Sequence, residues 1–312
     1  MPEVSVIIVS MNRPDLLSAA VDSILAHNKT PLEIIVTAYL YEKENLEAVR
    51  ARYPDIQLVM SDTLRGFSVN NNLALREARG KYVFVVNDDT LEEMPVIDRL
   101  VADMEKLGDK VATVSPRIVF PNGKVQTCGR PEWTMRRYMR HYLHLGSEVK
   151  KGKWTLREGL FRTRTLNGAC FLARRDVFRK AGWFDETYTF TPEDIALGAR
   201  FEEMGYENWC DADVSITHLA GGTVSPLEPA IKPTRVKGAL LYYSHESGLR
   251  YLILASFIGT VEWFRRVKYT ITGHRSGHAD VMFRTSRNVS AILWSDMSTL
   301  EIFRKYYNEL KP

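Results

Sequence analysis

The sequence has few cysteines and no strong excess of either charge. Its three cysteines, Cys128, Cys170 and Cys210, form no Cys-X-X-Cys pair, which argues against a zinc ribbon and a disulfide framework. We therefore expect a reducing compartment. The 42 Lys and Arg residues outnumber the 38 Asp and Glu residues only slightly, so the chain as a whole does not carry the charge of a nucleic-acid-binding protein.

The sequence also lacks a long hydrophobic run. The longest apolar stretch, residues 251–264, includes Glu262 and is too short to span a bilayer. Glu3 lies within the first few residues, and no small-residue cleavage site follows the apolar residues 4–9, so we expect no signal peptide. These features predict a cytoplasmic protein, either soluble or bound at the inner face of the cytoplasmic membrane.

The first half of the sequence alternates short apolar strands with amphipathic helical segments. The runs that predict strands are residues 4–9, 32–38, 56–60 and 82–86. Continuous apolar strands separated by helices are typical of an α/β fold whose mainly parallel sheet is covered on both faces. Because ligands bind beyond the carboxyl ends of such strands, the residues that follow each strand are the first candidates for a site.

The balance of charge changes along the chain. Residues 1–129 hold 18 acidic and 14 basic residues, whereas residues 130–164 hold ten basic and three acidic residues, interleaved with aromatic side chains. We predict a first domain of residues 1–224 that contains this basic aromatic insert, and a mostly helical region at residues 225–312. The insert either meets a phosphorylated substrate or anionic lipid, or is a solvated loop.

Asn87, Asp88 and Asp89 follow the strand predicted at residues 82–86. Two adjacent carboxylates at the end of a buried strand suit Mg²⁺ or Mn²⁺, which completes its shell with water and the phosphate oxygens of a diphosphate ligand. A solvated turn in which one Asp caps the next helix explains the same residues equally well.

The segment Thr191-Pro192-Glu193-Asp194 begins a predicted helix. With Thr191 as N-cap and Pro192 at the first helical position, Asp194 stands where a capping box has its acidic partner. The helix amides and dipole also keep a carboxylate ionised there, as a general base requires. Capping alone is the alternative, and spacing does not decide whether Glu193 or Asp194 would be the base.

Polar residues also precede two predicted helices. Ser10 or Asn12 could cap a helix that Pro14 starts, and Ser68 with the amides of residues 70–72 could cap a later helix or donate to a ligand.

His218 follows a predicted strand at residues 214–217 and precedes two glycines. Glycines let the backbone approach a ligand closely. An isolated histidine is more often packed or solvated than a ligand, so this residue alone predicts no site.

These motifs occur together in one order. They lie in the segments VSVIIVSMNRPDLLSAAVDSIL, RGFSVNNNLALREARGKYVFVVNDDT, LNGACFLARRDVFRKAGWFDETY, and PEDIALGARFEEMGY with HLAGGT. From about residue 4 to residue 223 the chain resembles the family 2 glycosyltransferases of the GT-A fold, especially their rhamnosyltransferase-like branch. The resemblance implies a nucleotide-sugar-binding domain, a divalent cation and inverting transfer.

The resemblance also implies roles for individual residues. It makes Asp194 the catalytic base, and Asp89 and His218 the metal ligands. The residues toward the donor are Ser10, Asn12, Arg13, Arg65, Asn72, Asn87 and Asp88. Those on the acceptor side are Asn167, Gly168, Trp183, Asp185 and Glu193.

The sequence departs from the family pattern at two places. The family usually has Asp-Asn followed by Ser and Asp after its second strand, where this chain reads Thr37-Ala38-Tyr39-Leu40, a difference that bears on recognition of the base. The family's helix often reads Glu-Asp-x-Asp, and here Ala196 replaces the second Asp. Asp194 is kept.

We therefore expect an inverting, metal-dependent glycosyltransferase with Mn²⁺ or Mg²⁺. The donor would be a UDP- or dTDP-sugar, with dTDP-rhamnose as one candidate. The acceptor would be a hydroxyl of a glycan or a polyprenol-linked saccharide in surface polysaccharide assembly, and we expect no nucleic-acid partner. The alternatives are a non-catalytic sugar-nucleotide-binding scaffold and a sugar nucleotidyltransferase, which would normally carry a glycine-rich phosphate loop that SMNRPD lacks.

The region after residue 225 contains the run YLILASFIGTVEWFRRVKYTI, in which Arg265, Arg266 and Lys268 follow an apolar stretch. This composition is compatible with an interfacial helix on an anionic membrane. The alternative is a helical bundle packed on the first domain or on a second copy of the chain in a homodimer.

Overall fold

The computed structural model describes residues 2–145, 156–219, 224–271 and 277–310. They divide into two compact units. The first, called the sheet unit here, comprises Met1–Glu132, Glu148–Asp185 and Asp194–Ala220. The second, called the helical unit, comprises Trp133–Ser147, Glu186–Glu193 and Gly221–Pro312.

Within the described ranges, ten strands form one sheet in the sheet unit. The strands are β1 (Val4–Met11), β2 (Leu32–Tyr39), β3 (Gln57–Ser61), β4 (Tyr82–Asn87), β5 (Thr90–Leu91), β6 (Val111–Val119), β7 (Val125–Thr127), β8 (Leu160–Thr163), β9 (Cys170–Arg174) and β10 (Glu207–His218). Their order is β3-β2-β1-β4-β9-β6-β10-β5, with β7 paired to β6 and β8 to β10.

The sheet is mixed, and most of its register is parallel. Strands β1 to β4 pair in parallel, as do β6 and β10, whereas β9 runs antiparallel between β4 and β6. The predicted α/β class with a mainly parallel central sheet is confirmed. Parallel pairing puts the carboxyl ends of β1 and β4 at one edge, where Val9 faces Asn87.

Helices cover both faces of the sheet. The helices along this part of the chain are α1 (Pro14–His27), α2 (Lys43–Arg52), α3 (Phe67–Glu77), α4 (Val96–Leu107), α6 (Arg175–Lys180) and α7 (Glu193–Glu203). Successive residues of β1 point to opposite faces, so Val6 and Ile8 pack in one core with α1 and α4. Ile7 packs in the other core, with Phe178 of α6 and Phe201 of α7.

The helical unit contains α5 (Met135–Tyr142), α8 (Val224–Ser244), α9 (Gly248–Ile271), α10 (His278–Ile292) and α11 (Thr299–Asn308). α8 packs against α9, α10 and α11, and α5 packs against α9. The predicted mostly helical C-terminal region is confirmed. α5, which comes from the basic aromatic insert, belongs to this unit. The domain boundary at residue 224 stays a prediction.

Buried charge stabilises the interior of the helical unit. Glu262 of α9 is fully buried, and its carboxylate accepts hydrogen bonds from Tyr142 and Arg265. Lys232 of α8 lies 3.4 Å from the same carboxylate. Burial would raise the pKa of Glu262, but the charge of Lys232, hydrogen bonds from Tyr142 and Ser286, and the charge of Arg265 together lower it.

Candidate active site

Polar side chains gather where β1, β4 and β10 end. The turn Asp88-Asp89 follows β4, and Ser10 to Arg13 lie at the end of β1 beside it. His218 is the last residue of β10 and pairs with Thr90 of β5, which brings the imidazole next to Asp89. The residues that follow β1 and β4 thus lie at one edge of the sheet, as the strand-end rule predicts, and His218 lies beside them.

Arg13 and Asp88 form a buried ion pair. The guanidinium donates two hydrogen bonds to the carboxylate, with Nε 3.2 Å from Oδ2. Burial raises the pKa of Asp88 to about 6, although the charge of Arg13 and a hydrogen bond from Ser10 oppose this shift. Only 2% of the Asp88 side chain is exposed, against 25% of the Arg13 side chain, so the guanidinium is the more accessible member of the pair.

Asp89 and His218 form a second pair, in which Oδ1 lies 3.2 Å from Nε2. Burial would raise the pKa of Asp89, but the hydrogen bond and charge of His218 outweigh burial and lower it. Nδ1 of His218 lies 2.8 Å from Oε1 of Gln126 on β7. If Nδ1 donates to that amide oxygen, Nε2 is the ring nitrogen that remains to bind a cation beside the carboxylate of Asp89.

The donor set of Asp89 and His218 fits a divalent cation. Carboxylate oxygen suits Mg²⁺ and Mn²⁺, and imidazole nitrogen suits a transition metal. Among the described residues, no group of three or more His, Cys, Asp or Glu side chains could hold a metal ion. A cation on this pair would take its other ligands from water and from phosphate oxygens, as Mg²⁺ commonly does.

Asp194 is held at the start of α7 by backbone amides. Its Oδ1 accepts a hydrogen bond from Ile195 N at 2.8 Å, and its Oδ2 accepts one from Gly168 N at 3.2 Å. Nη1 of Arg130 lies 3.6 Å from Oδ2. Two backbone amides and one guanidinium thus face the carboxylate.

The helix start differs from the predicted capping arrangement. α7 begins at Glu193, after Pro192, and Thr191 has a φ of +44°. The predicted N-cap at Thr191 with Pro192 inside the helix is wrong, because the segment turns before the helix begins. Asp194 still binds a first-turn amide, through Ile195.

One turn connects Asp194 with the end of β4. Asn87 N donates to Ala169 O at 3.0 Å, and the neighbouring Gly168 N donates to Asp194. Asn167 Oδ1 accepts from Ala169 N at 3.0 Å and so fixes the turn locally. A Cβ on Gly168 would lie 3.6 Å from Cβ of Asp194, in ordinary van der Waals contact. The turn at residues 167–169 therefore links the two predicted acidic motifs through backbone hydrogen bonds.

Several predicted donor-side residues bind the protein itself. Asn12 Oδ1 accepts from Glu42 N and Asn45 Nδ2. No side chain caps α1, so the predicted cap by Ser10 or Asn12 is wrong, although Pro14 does start the helix. Asn72 donates to Phe184 O at 2.9 Å and accepts from Phe184 N at 3.1 Å. Donor contacts of Asn12 and Asn72 stay predictions.

The remaining predicted residues lie on the loop before α3, in the segment between α6 and α7, and at the start of α7. Arg65 Nε donates to Thr63 Oγ1 at 2.8 Å. Trp183 has a φ of +65° and contacts Phe178 edge-on. Asp185 accepts from Arg200 at 3.2 Å, and Glu193, the first residue of α7, is buried. Their roles toward donor or acceptor stay predictions.

The altered stretch, residues 37–40, begins inside β2, and two of its side chains support α3 and the loop before it. Tyr39 OH donates to Arg65 O at 2.9 Å and accepts from Arg65 N at 3.1 Å. Thr37 Oγ1 donates to Asn70 O at 2.8 Å. These side chains hold the neighbouring backbone in the place where the family usually has nucleotide-contacting polar residues.

Two residues of this site were not predicted from the sequence. Gln126 lies on the three-residue strand β7 and faces His218. Arg130 follows β7 in the chain and faces Asp194. Arg130 lies in the basic insert, so charge gave a weak signal for it. Gln126 had none, because its partner is 92 residues away along the chain.

Comparison with known proteins identifies the family. The profile of Glycosyl transferase family 2 matches residues 5–182, and the chain belongs to that family. The O-antigen biosynthesis protein RfbC of Myxococcus xanthus is 28% identical over 231 residues, which is 70% of this chain and 17% of RfbC. Glucosyl-dolichyl phosphate glucuronosyltransferase of Haloferax volcanii is 27% identical over 191 residues, 59% of this chain and 56% of that protein. The chain therefore spans between 17% and 56% of the length of these relatives.

A solved structure shares the fold. The mannosyltransferase PcManGT of Pyrobaculum calidifontis, in complex with GDP-Man and Mn²⁺, has a TM-score of 0.55 and 16% identity, covering 100% of this chain and 88% of that chain. The predicted GT-A type fold is confirmed. Among the described residues, no helix combines the length and apolar character needed to cross a membrane.

Proposed function

We propose that this chain is an inverting glycosyltransferase with a nucleotide-diphosphate sugar as donor. The observation that supports this most is the link between two acidic centres at one edge of the sheet: Asp89 with His218, and Asp194, joined through the turn at residues 167–169. One centre suits a charged leaving group and the other suits a nucleophile that must lose a proton.

Asp194 would be the general base. As the acceptor oxygen forms its bond to the anomeric carbon, the bond from that carbon to the diphosphate oxygen breaks, and Asp194 takes the proton of the acceptor hydroxyl. The amides of Gly168 and Ile195 fix the carboxylate, and Arg130 lies beside it. Attack opposite the leaving group inverts the anomeric configuration and needs no covalent enzyme intermediate.

Asp89 and His218 would hold Mn²⁺ or Mg²⁺ on the donor side. Such a cation, when bound, neutralises charge that develops on the leaving diphosphate. The PcManGT structure, with GDP-Man and Mn²⁺, is an example of a nucleotide sugar bound with a cation in a related fold. Arg13, held by Asp88, adds a fixed positive group at the same edge.

The donor and acceptor classes rest on the relatives and on the sequence. A UDP- or dTDP-sugar is proposed, with dTDP-rhamnose as one candidate. The names of RfbC and the Haloferax enzyme concern O-antigen biosynthesis and a dolichyl phosphate-linked sugar, which supports a glycan or polyprenol-linked acceptor in surface polysaccharide assembly. We propose that transfer occurs in the cytoplasm, at the inner face of the membrane.

The decisive experiment separates donor binding from transfer. Thermal stabilisation by a panel of nucleotide sugars, with and without Mn²⁺, identifies the donor, and NMR of the product gives its anomeric configuration. Asp194→Asn should keep the donor-dependent shift and lose transfer by a factor of about 100 or more. Asp176→Asn, at an exposed site on α6, is the control and should transfer normally. Full activity of Asp194→Asn would remove Asp194 from the mechanism, and donor binding without transfer by the native chain would favour the scaffold.

A further inference from the structure

Helix α9 has one buried face and one exposed apolar face. Leu254, Ala255, Ile258 and Glu262 are buried in the helical unit. The large apolar side chains that remain between 45% and 78% exposed, called the α9 stripe here, are Leu249, Leu252, Ile253, Trp263, Phe264 and Ile271. At 100° per residue, the stripe fits within an arc of about 120° opposite the buried residues. The exposed apolar residues therefore share one side of the helix in two groups, residues 249–253 and 263–271, with the exposed Ser256 and Thr260 between them.

The exposed side of α9 carries cations and no acidic group. Glu262 is the sole acidic residue within the α9 segment, and it is buried with Lys232 and Arg265. Arg250 and Lys268 are both exposed, and because they are 18 positions apart, or about five turns, they lie along the same flank of the stripe. The solvent-exposed side of α9 therefore consists of apolar side chains with a cationic flank.

We propose that the α9 stripe docks on an anionic lipid bilayer, with the helix lying in the plane of the interface. An interfacial helix buries an apolar face at the boundary of headgroups and acyl chains, while Lys and Arg contact anionic headgroups. Trp263 and Phe264, whose rings contact each other at 4.8 Å between centroids, are side chains of the type that this boundary favours.

Charge favours the bilayer over a second copy of the chain. Pairing two stripes by a twofold axis would bring the flanks with Arg250 and Lys268 toward a surface that offers no carboxylate of α9 to compensate them. An anionic bilayer supplies that negative charge all along the flank. The proposal concerns membrane binding alone and stands independently of the proposed transfer reaction.

Flotation of the full chain with vesicles tests this proposal without donor or acceptor. We expect the chain to float with vesicles of phosphatidylcholine and phosphatidylglycerol, and to float less with phosphatidylcholine alone. Trp263→Ser with Phe264→Ser should weaken partitioning by about tenfold or more, because two apolar anchors are lost. Arg250→Glu with Lys268→Glu should weaken binding to the anionic vesicles selectively.

Matched exposed sites in the sheet unit are the controls. Leu25→Ser removes an apolar side chain that is 52% exposed, as Trp263 is, and Lys43→Glu reverses an exposed charge on α2. Both controls should float as the native chain does, and circular dichroism melts should show every variant folded. The proposal is overturned if the native chain stays unbound to anionic vesicles, or if the stripe variants float as well as the controls. A stripe variant that changes a dimer to a monomer and leaves flotation unaltered would assign the surface to a second copy instead.

Discussion

The candidate site has a β1 side, formed by Arg13 and Asp88, and a β10 side, formed by Asp89 and His218. The pKa values of the two adjacent carboxylates shift in opposite directions. On the β1 side, burial raises the pKa of Asp88 to about 6 in spite of its pairing with Arg13. On the β10 side, the hydrogen bond and charge of His218 outweigh burial and lower the pKa of Asp89. Asp88 binds a guanidinium, whereas Asp89 faces the imidazole nitrogen with which, we propose, it shares a cation.

The largest expected effect is on cation binding by the β10 side. Asp89→Asn removes one of the two proposed protein ligands, so Mn²⁺ affinity should fall by more than about 100-fold, beyond the loss typical of an outer-shell partner. Titration followed by the electron paramagnetic resonance of free Mn²⁺ measures this without any turnover. Asp109→Asn, at an exposed carboxylate in the loop between α4 and β6, should bind as the native chain does. Equal affinities of Asp89→Asn and the native chain would contradict the assignment of Asp89.

Glu92, a third buried carboxylate, extends the comparison, because no cation contributes to the shift of its pKa. Glu92 follows β5 and accepts a hydrogen bond from Asn28 Nδ2 at 2.6 Å, while its Oε1 has no partner within the described part of the chain. Burial dominates here and raises the pKa of Glu92 to about 8. Burial without a compensating cation thus keeps a carboxyl group protonated near neutral pH.

Glu92→Gln should therefore stabilise the fold at neutral pH. The folded-state pKa of about 8 exceeds the unfolded value of 4.5, so the native chain loses stability as pH rises from about 4.5 to about 8. Gln does not ionise, so the free energy of unfolding of the variant should exceed that of the native chain by about 3 kcal/mol at about pH 7, and the two should differ little near pH 4. Urea melts across this range measure the change. Parallel pH profiles for the variant and the native chain would show that Glu92 does not titrate as inferred.

The sequence predicted the strands that position the candidate site better than it predicted the hydrogen-bond partners of the surrounding side chains. Apolar runs located β1 and β4, and the rule that ligands bind at strand ends directed attention to Asp88 and Asp89, whereas the role of His218 was expected only from the family resemblance. Asn12 and Asn72 were harder, because an asparagine that caps a helix, clamps a backbone or binds a ligand is the same in sequence. In the structure both side chains bind backbone groups that are far away along the chain. The sequence alone does not show which loops come close enough to be their partners.

The smallest of these effects tests the outer contact on the β10 side. Gln126→Leu removes the oxygen that faces Nδ1 of His218 at 2.8 Å, so the imidazole should lose its fixed orientation and Mn²⁺ affinity should fall by about 10-fold to 100-fold. Gln126→Glu keeps an acceptor at the same place and should retain most of that affinity, which separates positioning of the imidazole from packing of β7. Neither variant should affect the pair of Arg13 and Asp88, because the side chain at position 126 faces His218 on the β10 side. If the Leu and Glu variants bind Mn²⁺ equally well, the hydrogen bond does not orient His218, and the asymmetry between the two sides rests on Asp89 alone.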